Sequence, residues 1–353
     1  MISCSLSNNL PDIRTDQQIE VSLPPELEKK WKKEGRYEIE IAELDIFFTK
    51  TGLKRTPVNY IIKWLTDYVR ELGIDGYRVD SVNRVEEEYW QVLADQAENA
   101  FKEWKLRNPK KVLDQTPFLM LGAASGYGID SKRFYKFQDR KVDYFAFGFD
   151  HMVNYQFKRD AAELPYDELF KKYSTGLQTH LFGKGVMNYI SSHEDKQPFD
   201  QYRLTPFDAG TKLLLTPGIS QIYYGDEIAR PLFIQDIQGL ETLRSAVDWQ
   251  SITQEKTQSI LEHWQKLGTF RRDHPSIGAG RHQQLSAFPY VFSRLLDRSG
   301  VHDLVVVGLD LPKGQKTLSV GSTFKNNTIL VDRYSGQEVT VLNQKVQLNT
   351  AYT

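Results

Sequence analysis

The sequence predicts an α/β protein with a small all-β region at its C-terminus. Up to about residue 277, helical patterns alternate with short apolar strands. That alternation is typical of a parallel sheet covered by helices, either a β/α barrel or an open doubly wound sheet. After residue 278 the apolar runs are short and turn residues separate them without an intervening helix, which is typical of an antiparallel β-domain. We therefore predict one domain over residues 1–277 and a second over residues 278–353.

The helices of the first domain are indicated by apolar side chains that recur at every third or fourth position. The clearest helix is predicted over residues 57–72, with Thr56 as its cap, Pro57 in its first turn and Gly73 at its end. A helix is also predicted from near Pro25, with a break at Gly35. Further helices are predicted at about 86–106, 166–177 and 207–218, and strands at about 75–82, 116–125, 142–150, 185–193 and 219–227.

The strand at residues 75–82 carries an unusual pair of charged side chains. Its sequence, DGYRVDSV, places Tyr77 and Val79 on one face and Arg78 and Asp80 on the other. The segment is too apolar for a surface edge, so we expect both charged side chains to be buried. A structural ion pair is one interpretation. The other is a reactive carboxylate that its arginine neighbour holds at the end of a barrel strand.

Composition argues against several functional classes. The formal net charge is -1 and no basic patch dominates, which argues against a nucleic-acid-binding protein. Cys4 is the single cysteine, so an internal disulfide is excluded. No apolar run approaches the length of a membrane span. The first residues lack the charged and apolar regions of a signal peptide.

Four segments resemble motifs of the α-amylase family of glycoside hydrolases. They are DGYRVDSVNR, NYISSHED and LLLTPGISQIYYGDE, which resemble the motifs of the fourth, seventh and eighth barrel strands, and LPDI, which resembles a run near the end of the domain inserted in the barrel. The resemblance covers nearly the whole chain. It implies a partial (β/α)₈ TIM barrel made of strands 4–8, followed by a small antiparallel β-sandwich domain. Residues 1–55 would include a remnant of the inserted loop domain, and the chain would be truncated at its N-terminus.

The resemblance also implies roles for single residues. Asp80 would be the nucleophile that attacks the anomeric carbon, and Arg78 would keep it ionised through charge-assisted hydrogen bonds. Arg84 and His193 would contact the substrate. Glu194 falls at the position of the third acid of the family, which is usually an aspartate directly after the histidine.

Two positions depart from the family pattern. A retaining glycosidase needs a second carboxyl group about 5 Å from the nucleophile. The family supplies it as a glutamate that follows a glycine at the end of the fifth barrel strand, whereas here Ala123 follows Gly122. Glu194 carries its carboxylate one methylene further from the backbone than an aspartate would, and Asp195 is an alternative after a shift of one residue.

These departures predict an α-amylase-type homologue whose hydrolysis of α-1,4-glucans is impaired. Tyr127 and Asp130, a few residues downstream, are the candidates to replace the missing acid. The alternatives are a non-catalytic glucan-binding protein and a gene product without function. The expected partner is an α-glucan or maltooligosaccharide. The resemblance suggests no cofactor beyond calcium, because Asp12 matches a calcium-binding position of some members. Relatives are often exported, so an extracellular or periplasmic location is expected.

Overall fold

The computed structural model describes residues 4–7, 10–195, 197–233, 239–298, 300–321 and 323–352. The chain forms two compact units. The first contains Met1–Ser125 and Phe134–His151, and the second contains Gly126–Arg133 and Met152–Thr353. The domain division between residues 277 and 278 remains a prediction.

The first unit combines helices with short strands. Its elements in chain order are β1 (Cys4–Ser7), β2 (Leu10–Asp12), α1 (Pro25–Lys33), α2 (Tyr37–Thr51), α3 (Pro57–Leu72), β3 (Gly76–Val79), α4 (Glu87–Arg107), β4 (Leu119–Gly122), β5 (Tyr135–Lys136) and β6 (Lys141–Val142). The strand β7 (His151–Asn154) begins at the last residue of this unit. The predicted helix from Pro25 is broken at Gly35, so it forms α1 and α2.

Helix α3 begins and ends where its local sequence predicts. Pro57 occupies the first turn, and Gly73 takes a left-handed conformation with φ of 70° directly after the helix. Val58, Ile62 and Val69 are buried along one face. Thr56 has the extended backbone of a cap, but its buried hydroxyl makes no hydrogen bond within the described residues. Thr56 is thus the cap residue, as predicted, although it caps without a side-chain hydrogen bond.

Strands β3 and β4 form a parallel pair in the first unit. Their register places Gly76 opposite Leu119 and Val79 opposite Gly122. Gly76 is needed here, since a Cβ at this position would lie 2.6 Å from the Leu119 carbonyl oxygen. Tyr77 faces the helices, where its hydroxyl donates to the Leu65 carbonyl oxygen at 2.5 Å. This register determines which residues lie side by side just beyond the carboxyl ends of the two strands.

The strand predicted over residues 142–150 is wrong. A 3₁₀ turn, Tyr144–Phe147, replaces most of it. The Asp143 carboxylate accepts a hydrogen bond from the Phe145 amide at 3.1 Å, and Gly148 ends the turn with φ of 94°. The aromatic residues of this segment suggested a strand, but in the structure they belong to the turn. Tyr144, Phe145 and Phe149 are buried there. The missed strand β7 begins just after this segment.

The second unit continues the alternation and ends in an all-β region. Its further elements are α5 (Phe157–Glu163), α6 (Tyr166–Gln178), β8 (Gly185–Asn188), α7 (Pro206–Leu215), β9 (Ile219–Ser220), α8 (Glu255–Asp273), α9 (Ser276–Ala279), β10 (Arg281–Ser286), β11 (Tyr290–Arg298), β12 (Val301–Leu309), β13 (Gly314–Ser319), β14 (Ile329–Val331), β15 (Glu338–Thr340) and β16 (Lys345–Thr350). Strands β8 and β9 are parallel. Among the described residues, no helix is long and apolar enough to cross a membrane.

The C-terminal strands form antiparallel sheets, as predicted. One sheet has three strands in the order β10, β11, β12. Two further sheets have two strands each, β13 with β16 and β14 with β15. Val291, Leu318, Val341 and Val346 contribute to a shared apolar core. The sequence did not predict β10, because this edge strand carries mostly exposed polar side chains and lacks an apolar alternation.

Two buried arginines join the sheet region to the end of α7. Arg294 on β11 is fully buried and donates to the carbonyl oxygens of Leu215 and Ile277. Arg271 on α8 donates to the Leu214 and Thr216 carbonyl oxygens at 2.8 and 3.0 Å. The last carbonyl groups of a helix have no partner within the helix and carry its negative partial charge. Both guanidinium groups therefore act as caps that fix the turn leading into β9.

We predict that Arg294→Met lowers the free energy of unfolding by about 2–3 kcal/mol, since two buried carbonyl oxygens lose their donor. Urea unfolding followed by circular dichroism measures the change. Arg298→Met is the matched control, because Arg298 lies on the same strand and is exposed. Equal stability of the two variants would contradict the capping role.

A histidine beside Arg294 predicts a dependence of stability on pH. Burial, with the positive charge of Arg294, lowers the pKa of His282 to about 3. In the unfolded chain the ring takes up a proton below about pH 6.5, whereas the folded protein resists protonation. Stability is therefore lost as the pH falls from about 6.5 towards 3. Replacement His282→Gln is expected to reduce the loss of unfolding free energy between about pH 7 and pH 4.5 by up to about 2 kcal/mol. Identical pH profiles for the variant and the unmodified chain would refute this.

Candidate active site

The candidate nucleophile Asp80 lies directly after β3. Alternation along the strand directs Tyr77 towards the helices and Arg78 and Asp80 to the opposite face. Both charged residues are exposed, so the predicted burial is wrong. Side chains project from the faces of a strand, and within the described residues this face of β3 remains open to solvent. Within the same residues, no hydrogen bond or ion pair joins Arg78 to Asp80. The roles assigned to both remain predictions.

Ser81 adopts an unusual backbone conformation immediately after Asp80. Its φ of 51° lies in the left-handed region, which costs a residue with a Cβ about 1–2 kcal/mol. The Ser81 amide donates to the Asp80 carboxylate at 2.8 Å. Such conformations cluster at functional sites, where the surrounding structure holds them. The turn continues into a 3₁₀ segment that ends at the exposed Arg84, the predicted substrate contact.

Ala123 lies beside Asp80 at the end of the parallel pair. Its amide donates to the Val79 carbonyl oxygen at 2.8 Å, and its carbonyl oxygen accepts from the Val82 amide at 3.0 Å. Ala123 is therefore hydrogen-bonded to the residue before Asp80 and to the residue after Ser81. Ala123 is fully buried. The position next to the candidate nucleophile thus presents a methyl group, which neither donates nor accepts a proton.

The second unit contains His193, Glu194 and Asp195 in the turn after β8. The His193 Nε2 atom lies 3.3 Å from a Glu194 carboxylate oxygen, and both side chains are substantially exposed. Asp195 is buried and forms an ion pair with Lys158. A buried carboxylate that pairs with a lysine is suited to holding the turn. Exposed Glu194 is better placed to meet a ligand. The catalytic role of Glu194 and the substrate contact of His193 remain predictions.

A buried ion pair that sequence reasoning missed holds the neighbouring segments. Asp226 accepts from the Ser191 hydroxyl at 2.6 Å and from the Arg203 guanidinium at 2.7 Å. Burial raises the pKa of Asp226, while the Arg203 charge and the hydrogen bonds oppose that rise. Only Ile219–Ser220 of the strand predicted over residues 219–227 is extended, because Asp226 folds back and accepts from the Tyr223 amide at 3.3 Å. Asp226 belongs to the YYGDE run, and this run was the only sequence signal that pointed to the residue.

The candidate replacements for the missing acid are already engaged within the second unit. Tyr127 is buried, and its hydroxyl donates to the Lys132 carbonyl oxygen at 2.5 Å. Asp130 pairs with Lys172 at 2.9 Å. Burial raises the pKa of Asp130, but hydrogen bonds from Lys172 and Gln156 outweigh it and leave the pKa lowered. A general acid needs a proton near neutral pH and access to the leaving group. Asp130 lacks the proton, and the Tyr127 hydroxyl is committed to the Lys132 carbonyl oxygen.

Among the residues that the structure describes, no group of three or more His, Cys, Asp and Glu side chains is arranged to hold a metal ion. Asp12 ends β2, but its side chain lies outside the described part of the chain. The calcium expectation for Asp12 therefore stays a prediction.

We predict that Ser81→Gly raises the free energy of unfolding by about 0.5–1 kcal/mol, because glycine adopts the left-handed conformation without the steric penalty. Chemical denaturation measures this difference. Ser81→Ala keeps the Cβ and serves as the control, with no gain in stability expected. A loss of stability in Ser81→Gly would show that the serine side chain stabilises the turn.

No family model matches the sequence. The periplasmic α-amylase of Escherichia coli (strain K12) is 36% identical over 278 residues, which are 78% of this chain and 37% of that relative. The chain thus spans little more than a third of the length of this relative.

Two solved structures share the fold. An Anoxybacillus α-amylase superposes with a TM-score of 0.58 at 16% identity, covering 84% of this chain and 60% of the other. AmyP in complex with maltose superposes with a TM-score of 0.57 at 15% identity, covering 84% and 66%. The parallel and antiparallel strands described above are those of an α-amylase-like fold. The chain is homologous to the α-amylase family of glycoside hydrolases over the 278 residues that align with the periplasmic enzyme.

Proposed function

We propose that the chain binds α-1,4-glucans and hydrolyses them at or near the background rate. The observation that carries this proposal is the buried methyl group of Ala123 beside Asp80, where double displacement requires a proton donor. Asp80 is exposed and available to attack an anomeric carbon. Without a general acid, however, the leaving oxygen must depart as an alkoxide.

The size of the expected loss follows from the chemistry. General acid–base assistance contributes about 10²–10⁴-fold to such reactions. Glu194 in place of an aspartate adds a second cost, since a displacement of about 1 Å at a reacting group can cost about 10²-fold. These losses are not additive, but each alone reduces turnover severely. Glucan binding has no such requirement for a proton donor.

The comparisons support the substrate class and the location. One structural neighbour was solved with maltose, and the aligned relative is a periplasmic α-amylase. Because the chain spans 37% of that relative, activity and substrate are transferred here as proposals. We accordingly propose maltooligosaccharides as ligands, a barrel made of strands 4–8 as the scaffold and a periplasmic or extracellular site of action.

Binding without turnover is the predicted behaviour of the purified chain. Its migration should be retarded in a starch-loaded native gel, while soluble starch releases no reducing sugar above the buffer rate. Measurable turnover that disappears in Asp80→Asn, but persists in the control Asp75→Asn, would refute the loss of catalysis. Asp75 is the matched control, because it is an exposed carboxylate that precedes the same strand. Unchanged migration in starch would refute binding.

A further inference from the structure

A cleft in the second unit has the size of a ligand site. It has a volume of about 800 Å³ and lies between the segment of residues 197–205 and the start of α5. Clefts that bind small molecules usually measure about 300–1,000 Å³. The resemblance assigns none of its lining residues a role.

The lining of this cleft suits a neutral, hydroxyl-rich ligand. Gln197 and Gln201 line it, and amide side chains both donate and accept hydrogen bonds, as sugar hydroxyls do. Gln156 also lines it, but its amide already donates to Asp130 and Asp160. The charges at the cleft are balanced. Lys158 is paired with Asp195, and the positive charge of Arg159 acts on the Asp130 carboxylate. Asp200, which accepts from the Leu204 and Thr205 amides, adds a negative charge to the lining. An anionic ligand would therefore find no surplus of positive charge.

Tyr202 supplies an apolar surface at the cleft. Its side chain is 69% exposed, although aromatic side chains generally gain free energy from burial. The Tyr202 ring contacts that of Phe233, itself partly exposed, with 6.1 Å between the ring centroids. Two exposed aromatic rings in contact beside amide side chains form a surface on which the C–H face of a pyranose can stack.

The backbone around Tyr202 is held in a strained conformation. Asp200 and Arg203 both lie in the left-handed region, with φ of 49° and 56°. Strained residues of this kind persist only where the surroundings hold them, and they cluster at ligand sites. Here the Arg203 guanidinium is anchored by Asp226 at 2.7 Å and by the Arg230 carbonyl oxygen at 2.8 Å. The ring of Tyr202 is thus presented by a segment fixed on both sides.

We propose that this cleft is a maltooligosaccharide subsite in which Tyr202 stacks on a pyranose ring and the amides of Gln197 and Gln201 bind its hydroxyls. The proposal rests on the proposed function and deepens it, since it assigns glucan binding to specific residues. Arg203 acts as a positioning residue, and Tyr202 contacts the ligand. Retention of glucan without hydrolysis then follows from a site whose chemistry needs no catalytic acid.

The test is isothermal titration calorimetry of the full chain with maltoheptaose. Tyr202→Ala should raise Kd by about tenfold or more, as expected for the loss of an aromatic contact at a binding site. Tyr202→Phe, which keeps the ring, should bind like the unmodified chain. Phe182→Ala is the matched control, because Phe182 is 68% exposed and lies outside the cleft.

The outcomes separate the two proposals. If the unmodified chain binds maltoheptaose and Tyr202→Ala binds equally well, the subsite is refuted while the proposed function stands. If Tyr202→Phe loses as much affinity as Tyr202→Ala, ring stacking is refuted. If the unmodified chain binds no maltoheptaose, the proposed function fails and the subsite fails with it.

Discussion

The functional interpretation depends on the register between β3 and β4. The Ala123 amide donates to the Val79 carbonyl oxygen and the Ala123 carbonyl oxygen accepts from the Val82 amide, which fixes the carboxyl ends of these strands side by side. A slip of β3 by one residue would turn its side chains to the opposite face of the sheet and remove Asp80 from its neighbour. Because the backbone sets this proximity, the chemistry at the strand ends is decided by two side chains. One is a carboxylate, and the other is a methyl group.

The second unit depends on polar groups that are buried away from the strand ends. Arg271 and Arg294 satisfy carbonyl oxygens around the end of α7, and Asp226 ties Ser191 to Arg203. Such partners matter because a buried carbonyl oxygen or carboxylate without a hydrogen-bond donor destabilises a fold. The segments that carry His193 and Tyr202 are joined to each other, because the Phe199 amide donates to the Ile190 carbonyl oxygen and Asp226 binds both Ser191 and Arg203.

Local signals account for what the sequence predicted correctly. Helix α3 follows from its apolar spacing together with Pro57 and Gly73, all of which act within a few residues. The 3₁₀ turn at Tyr144–Phe147 was missed because an aromatic run suggests a strand unless the Asp143 cap is recognised. The exposure of Arg78 depends on what covers one face of a strand, which the sequence of that strand does not specify. The Arg203–Asp226 pair joins residues distant in sequence, and no periodicity indicates such a contact.

The first unit is assembled from two stretches of chain, with Gly126–Arg133 belonging to the other unit. Its last segment, Phe134–His151, leaves the ribosome only after Gly126–Arg133 has been synthesised. Neither unit can therefore be produced as an uninterrupted fragment by choosing a single cut point. A nascent chain that ends before Phe134 therefore holds an unfinished first unit, and synthesis must reach His151 before its core can close.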